Sequence, residues 1–352
     1  MDPGATGVDL GAGTGLLGIL AAQAGAGRVV AVDRGPILDL AAAVAQTNGF
    51  DRIEHRRRSS LDLDLPRADV VVADQVDGLG ADAGLFQCFE DARRRFLAPD
   101  GRLVPSALAV HVAPVELPEV AELVARWGER REGLDVTAAL PWVRNQRYWV
   151  ELEADDVLGP AVDGPDEPTG VWGSRRVTGT TTVARAGALG ALGTWWSARL
   201  SPSVRVTNAP GAEGRVERGH VALPLDHAVE VRPGDVVSID LRLLHITDEV
   251  AWTVRVERDG ATVLDERHST FEGRLDLGDA MALVRSAQPP RLSPSGEVQR
   301  LCLDLCDGEH TTTEIVAAVR AAFPERYPSD AAARSAVLGV LSESTQPVQE
   351  QP

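Results

Sequence analysis

Gly7-Val8-Asp9-Leu10-Gly11-Ala12-Gly13-Thr14-Gly15-Leu16-Leu17, followed by Val29-Val30-Ala31-Val32-Asp33, reads as a strand, a glycine turn, a helix and a second strand that ends in a carboxylate. Glycines at 11, 13 and 15 let the backbone turn sharply and approach a nucleoside with no Cβ in the way. Asp33, with Arg34 beside it, stands about 20 residues after the first glycine, where a carboxylate accepts ribose hydroxyls. The pattern asks for an adenosine ligand.

The turn also selects which adenosine. Dinucleotide sites favour Gly-x-Gly-x-x-Gly, whose last glycine lets a helix aim its N-terminus at a pyrophosphate. Here the spacing is Gly-x-Gly-x-Gly, with Asp9 two positions before the first glycine. A carboxylate there suits the ammonium and sulfonium of S-adenosylmethionine and repels a pyrophosphate.

The chain has 352 residues, enough for two or three domains. All 35 of its basic residues are arginine, and the net charge is −17. That balance argues against a phosphate-binding surface, so nucleic acid is not the expected partner. Three cysteines are too few for a disulfide framework, and no secretory signal or membrane-length apolar stretch is present. A cytoplasmic protein without a membrane partner is expected.

Three sections follow one another. Residues 1–105 alternate strand and helix, with a helix from Ile37 to Asn48, a buried strand at Asp69 to Ala73, a helix from Phe86 to Phe96 and a turn at Ala98 to Gly101, giving a doubly wound Rossmann-like sheet. Residues 106–278 carry β segments at Ala107 to Val115, Thr194 to Arg199, His220 to Pro224, Val236 to Leu244 and Ala251 to Val256, which suggest a barrel or sandwich. Within them the acidic stretch Glu151 to Thr169 reads as a solvated loop. Residues 279–352 form a small helical domain with a polar tail; Thr311 and Glu314 make a capping box, and apolar stripes run over Ile315 to Phe323 and Ala331 to Leu341.

The first two sections resemble the protein arginine methyltransferases. The resemblance rests on Val8 to Leu17, Ala21 to Ala26, Ala31-Val32-Asp33 and Phe96 to Gly101 followed by Pro105, and then on Thr194 to Ser197, His220 and Val231 to Asp235 in order. It implies S-adenosylmethionine as cofactor, held by Asp9, Gly11, Ala12, Gly13, Gly15, Leu16, Asp33 and Arg34, with Ser60, Leu61 and Asp62 at the adenine and Asp74 at the methyl end. It also implies a homodimer through an arm in the region Trp127 to Val143. The family holds its guanidinium with two glutamates. In this chain Asp74 stands at the first position, and only Asp77 or Asp82 approximates the second. The cofactor-covering helices that usually precede the first strand have no counterpart before Gly7.

The third section resembles the peptide-binding domain typified by the pyrroloquinoline-quinone biosynthesis protein D, on Leu301 to Gly308, Thr311 to Ile315 and the helix pair that follows. That resemblance implies a winged-helix-like fold that captures the leader of a ribosomally made precursor peptide. A DNA-binding winged helix is the alternative, disfavoured by the acidic balance.

Together the two resemblances imply a methyltransferase acting on a peptide amine, similar to those of daptide-type clusters. Asp74 and Asp77 orient the amine and His220 relays its proton. Arginine methylation and a non-catalytic peptide-presenting scaffold are the alternatives. Cys302, Cys306 and His310 stand four residues apart, but Asp307-Gly308 ends their helix and no metal is expected. Trp195 and Trp196 read as core. Arg56 to Arg58 reads equally as an anion patch or as an exposed strand edge.

Overall fold

The computed structural model describes residues 4–80, 84–171, 173–244, 249–274 and 291–344. The first five strands, β1 Thr6–Leu10, β2 Arg28–Asp33, β3 Glu54–Arg57, β4 Ala68–Val72 and β5 Leu97–Val104, form one sheet in the order β3-β2-β1-β4-β5. The pairings are parallel, and the order reverses between β1 and β4. In such a sheet ligands sit beyond the carboxyl ends of the strands at that switch.

Three helices connect these strands: α1 Leu16–Gln23, α2 Ile37–Thr47 and α3 Leu85–Arg95. One face of the sheet packs on α1 and α2 through Ile19, Val29, Ala31, Leu38, Ala41 and Ala45. The turn expected at Ala98 to Gly101 is instead an irregularity inside β5, where the ladder jumps from Ala68–Leu97 to Val70–Arg102. The strand at 68–72 is also less buried than its apolar run suggested, because Asp69 faces outward and its carboxylate accepts the Thr6 N–H at 2.8 Å.

Beyond Val104 the chain builds two antiparallel sheets. The larger centres on β6 Ala107–Val115 and the strands Gly187–Arg199 and His220–Val231; the smaller runs from Arg175–Thr182 through Val236–Leu244 and Glu249–Arg258 to Ala261–Ser269. Trp195 and Trp196 are both buried. Glu151 to Thr169 is not a solvated loop: Leu152, Leu158 and Thr169 are fully buried, and Val162–Asp163 and Glu167–Pro168 pair with β6. Leu152, Leu158, Val162 and Thr169 were enough to anchor a stretch whose average composition is acidic.

One continuous core links Val8 and Leu10 of the first sheet, through Phe86, Phe89 and Leu108, to Trp252 and Leu264 of the last. Residues 1–275 accordingly form one compact unit and 276–352 a second. The boundary expected near residue 105 is not a break in packing, and the one expected at 278/279 lies outside the described residues.

Among its described residues the second unit has three helices, Pro294–Asp304, Thr312–Ala322 and Asp330–Ser344, and no strand. They close over Val298, Cys302, Ile315, Val316, Val319, Ala333 and Val337. Thr311 and Glu314 form the reciprocal cap at the start of the middle helix. The Cys306 thiol donates to the Cys302 carbonyl at 3.1 Å and His310 pairs with Asp307, so those three side chains do not converge. Among the described residues no helix is long and apolar enough to cross a membrane.

Candidate active site

The glycine turn uses the left-handed backbone region that glycine enters without steric cost: Gly11, Gly13 and Gly15 have φ of 69°, 53° and 78°. The N–H groups of Gly11 and Ala12 both donate to the Val32 carbonyl, at 2.8 and 3.0 Å, which pins the turn to the end of β2. Gly13 N–H donates to Asp33 Oδ2 at 2.9 Å and Gly35 N–H to Asp33 Oδ1 at 2.8 Å. Each Asp33 oxygen therefore has one backbone donor and keeps acceptor capacity for a ribose hydroxyl.

Asp9 is 1% exposed. Its Oδ2 accepts the Gly18 N–H at 2.8 Å, satisfying a donor in the first turn of α1 that has no partner inside the helix. Its Oδ1 is buried without a hydrogen-bond partner. Burial raises its pKa to about 6, against the lowering effect of the Gly18 bond, and the charges of Asp33 and Asp74 push the same way as burial. A second orphaned acceptor, Gln75 Oε1, lies in the loop after β4, and the Gln75 amide occupies the space a Cβ on Gly11 would fill. Two unpartnered acceptors beside a glycine turn fit the ammonium of an amino-acid nucleoside.

Beyond β1 and β2 opens a cavity of about 240 Å³. Of the expected cofactor residues, Gly11, Asp33, Arg34, Ser60 and Leu61 line it; Asp9, Ala12, Gly13, Gly15, Leu16, Asp62 and Asp74 do not. Ser59 caps the short turn Ser60–Asp62 by accepting the Leu61 N–H, which leaves the Leu61 side chain 39% exposed at the cavity. An apolar side chain held open in this way offers a face to a purine. The cavity is completed by residues not among the expected cofactor contacts: Val32, Arg58, Ser59, Gln75, Gly84, Gln87 and Cys88. Arg58 carried a signal, as the last of an arginine run at the end of β3; Gln87 and Cys88, on the first turn of α3, carried none. Burial pushes the Cys88 thiol above its ordinary value.

The loop after β4 is anchored by Val76 and Leu79, both buried, while Asp74 faces solvent. Gly78 lies so close to Trp149 and Val221 that a Cβ would come within 2.8 Å of each, so the loop packs on the start of the strand His220–Val231. The three expected catalytic residues are thus neighbours in space, but two of them are engaged otherwise than expected. Asp77 Oδ1 accepts the Leu79 N–H at 3.1 Å and shapes its own turn. His220 is 1% exposed; its Nδ1 accepts the Leu152 N–H at 3.0 Å and its Nε2 stands 2.7 Å from the Asn208 carbonyl. A carbonyl needs a donor and an N–H needs an acceptor, so the geometry fixes a neutral ring with its proton on Nε2. Both nitrogens are committed to backbone groups, and His220 is a strand tie, not a proton relay.

Asp74 is ion-paired. Arg218, just before the strand that begins at His220, donates from Nη2 to Asp74 Oδ2 at 2.6 Å and from Nη1 to the Val76 carbonyl. Asp82 lies outside the described residues.

A parallel sheet with its switch at β1 and β4, a glycine turn under a carboxylate-tipped β2, and an adenosine-sized cavity at that switch define a nucleoside-dependent group-transfer fold. The methyltransferase domain family matches residues 1–140. Over 253 residues the chain is 30% identical to the arginine N(omega)-methyltransferase of Streptomyces achromogenes subsp. streptozoticus, covering 68% of this chain and 68% of that protein. It is 31% identical over 170 residues to protein arginine N-methyltransferase 6 of Xenopus laevis, covering 44% of this chain and 48% of that one. The Trypanosoma brucei PRMT1 enzyme-prozyme heterotetrameric complex with AdoHcy shares the fold, with a TM-score of 0.67 at 20% identity over 76% of this chain and 90% of that chain. In several other relatives the match spans a smaller share, down to 26% of an Arabidopsis thaliana protein. The chain belongs to the arginine methyltransferase family of S-adenosylmethionine-dependent methyltransferases.

Proposed function

We propose that the chain methylates an amine of a ribosomally synthesised precursor peptide, of the kind dimethylated in daptide-type biosynthesis, and that residues 276–352 act as a leader-recognition element. What supports this reading is the second compact unit: three short helices with a core of their own, joined to a methyltransferase body. A separate module raises the local concentration of a tethered acceptor without altering the chemistry.

S-adenosylmethionine supplies a methyl group already activated by its sulfonium. The chain's residues then have to bind, orient and exclude water. Asp33 takes the ribose, Ser60 and Leu61 the adenine, and Asp9 with Gln75 the ammonium. Asp74 marks the acceptor end, one residue before Gln75. The arm region Trp127 to Val143 is the proposed surface for a homodimer; the trypanosomal neighbour is a heterotetramer.

A second reading, N-methylation of an arginine guanidinium, is supported by the Streptomyces relative, named for that activity. Incubating the full-length chain with methyl donor and either a leader-bearing precursor peptide of the daptide type or an arginine-rich peptide, followed by mass spectrometry, separates the two. Methyl increments on a precursor amine are expected. Robust methylation of the arginine peptide alone favours the second reading, and cofactor binding without turnover on either points to a scaffold.

A further inference from the structure

We propose that Arg218 sets the acceptor specificity of this site: its guanidinium occupies Asp74 from within the protein, excluding guanidinium acceptors and favouring amines. The inference rests on the placement of the acceptor at the Asp74 loop.

Arg218 holds that loop at two points, the Asp74 carboxylate at 2.6 Å and the Val76 carbonyl. The pair is open to solvent, with the Arg218 side chain 33% exposed and that of Asp74 57% exposed, so an acceptor that reaches this loop can contact it. Asp74 is exposed and does not itself line the cavity, but the next residue, Gln75, does. Asp77, the other carboxylate of the described loop, is turned into the Leu79 N–H.

The two acceptor chemistries need opposite things from this place. A guanidinium stays protonated and is oriented by carboxylates that accept its planar fork. Here one Asp74 oxygen already accepts from Arg218, and an incoming guanidinium must either displace that bond or lie against a like charge. An amine attacks only through a free lone pair, and a neighbouring cation favours its neutral form. The same side chain therefore blocks one acceptor and assists the other.

The test uses the full-length protein saturated with S-adenosylhomocysteine and methylguanidine as the probe, titrated calorimetrically. Wild type should bind methylguanidine weakly. Arg218→Gln should bind it about tenfold or more tightly, and the gain should vanish in Arg218→Gln/Asp74→Asn. Arg218→Met, which keeps the apolar stem, should give the same gain and serves if the glutamine variant does not fold. No gain in a folded variant, a gain that survives loss of Asp74, or tight binding by wild type overturns the proposal. Titration of S-adenosylhomocysteine alone keeps the readings apart: if the cofactor binds but Arg218 variants gain nothing, only this inference fails, whereas absent cofactor binding removes the function on which it rests.

Discussion

Asp9 shows how one side chain serves the fold and the site at once. Its carboxylate completes the first turn of α1, yet its other oxygen is buried without a partner and its pKa is raised to about 6. Because that value lies above the ordinary one, the unfolded chain releases its proton first as pH rises. Asp9 therefore costs the fold nothing below pH about 4, and disfavours it progressively up to about pH 6, by about 3 kcal/mol in order of magnitude. Asp9→Asn should be more stable than wild type at pH 7, with the difference in Tm closing toward pH 4 in scanning calorimetry. The same variant should lose affinity for the methyl donor, and wild-type affinity should rise between pH 5 and pH 7 as Asp9 ionises; a flat profile would remove it from the ammonium site. Asp33→Ala deletes the ribose acceptor. Hydrogen bonds to a charged group are worth about 1.5–3 kcal/mol each, so donor affinity should fall about tenfold or more in a calorimetric titration.

At the scale of elements, the end of the strand His220–Val231 is tied down by side chains bonded to backbone. His220 bridges Leu152 and Asn208, and Asn208 Oδ1 in turn accepts the Trp196 N–H at 2.9 Å, so three segments of the larger sheet are pinned at one place. Cutting His220 to alanine strands a buried N–H and a buried carbonyl, each costing about 1–3 kcal/mol. His220→Ala should therefore lower the midpoint of urea unfolding clearly. Any residual methyl transfer should keep the wild-type pH profile; loss of one limb of that profile would restore the histidine as a proton carrier.

At the scale of the molecule, the long core from Val8 to Leu264 makes residues 1–275 one folding body, while the helical unit has its own buried cluster. Ending the chain after Leu275 should leave the circular dichroism and the donor affinity of the larger unit intact. Efficiency on full-length precursor should drop strongly, and a leaderless core peptide should be poor with both proteins. Unchanged catalytic efficiency of the folded truncated protein on full-length precursor would assign the helical unit another role.

Local chemistry determined much of this protein. Three glycines, two strand-end carboxylates and the Thr311–Glu314 cap act over a few residues, so the turn, the β1-α1-β2 unit and the helix start were legible in order along the chain. Asp33 was legible by the same short-range logic, whereas Leu61 followed only from the family resemblance. The rest depended on what meets across the fold. Arg218 reaches Asp74 over 144 residues of sequence, and His220 reaches Leu152 over 68, and no spacing rule records such pairs. Burial set His220 against its expected role, since both of its nitrogens already serve backbone groups. The strands on either side of residue 105 likewise share one core, because packing across two stretches is a property of two surfaces and neither is visible from its own stretch of chain. The sequence by itself determined the glycine turn and the carboxylate at the tip of the second strand; only the tertiary structure decided which side chains line the cavity and which charges remain open beside it.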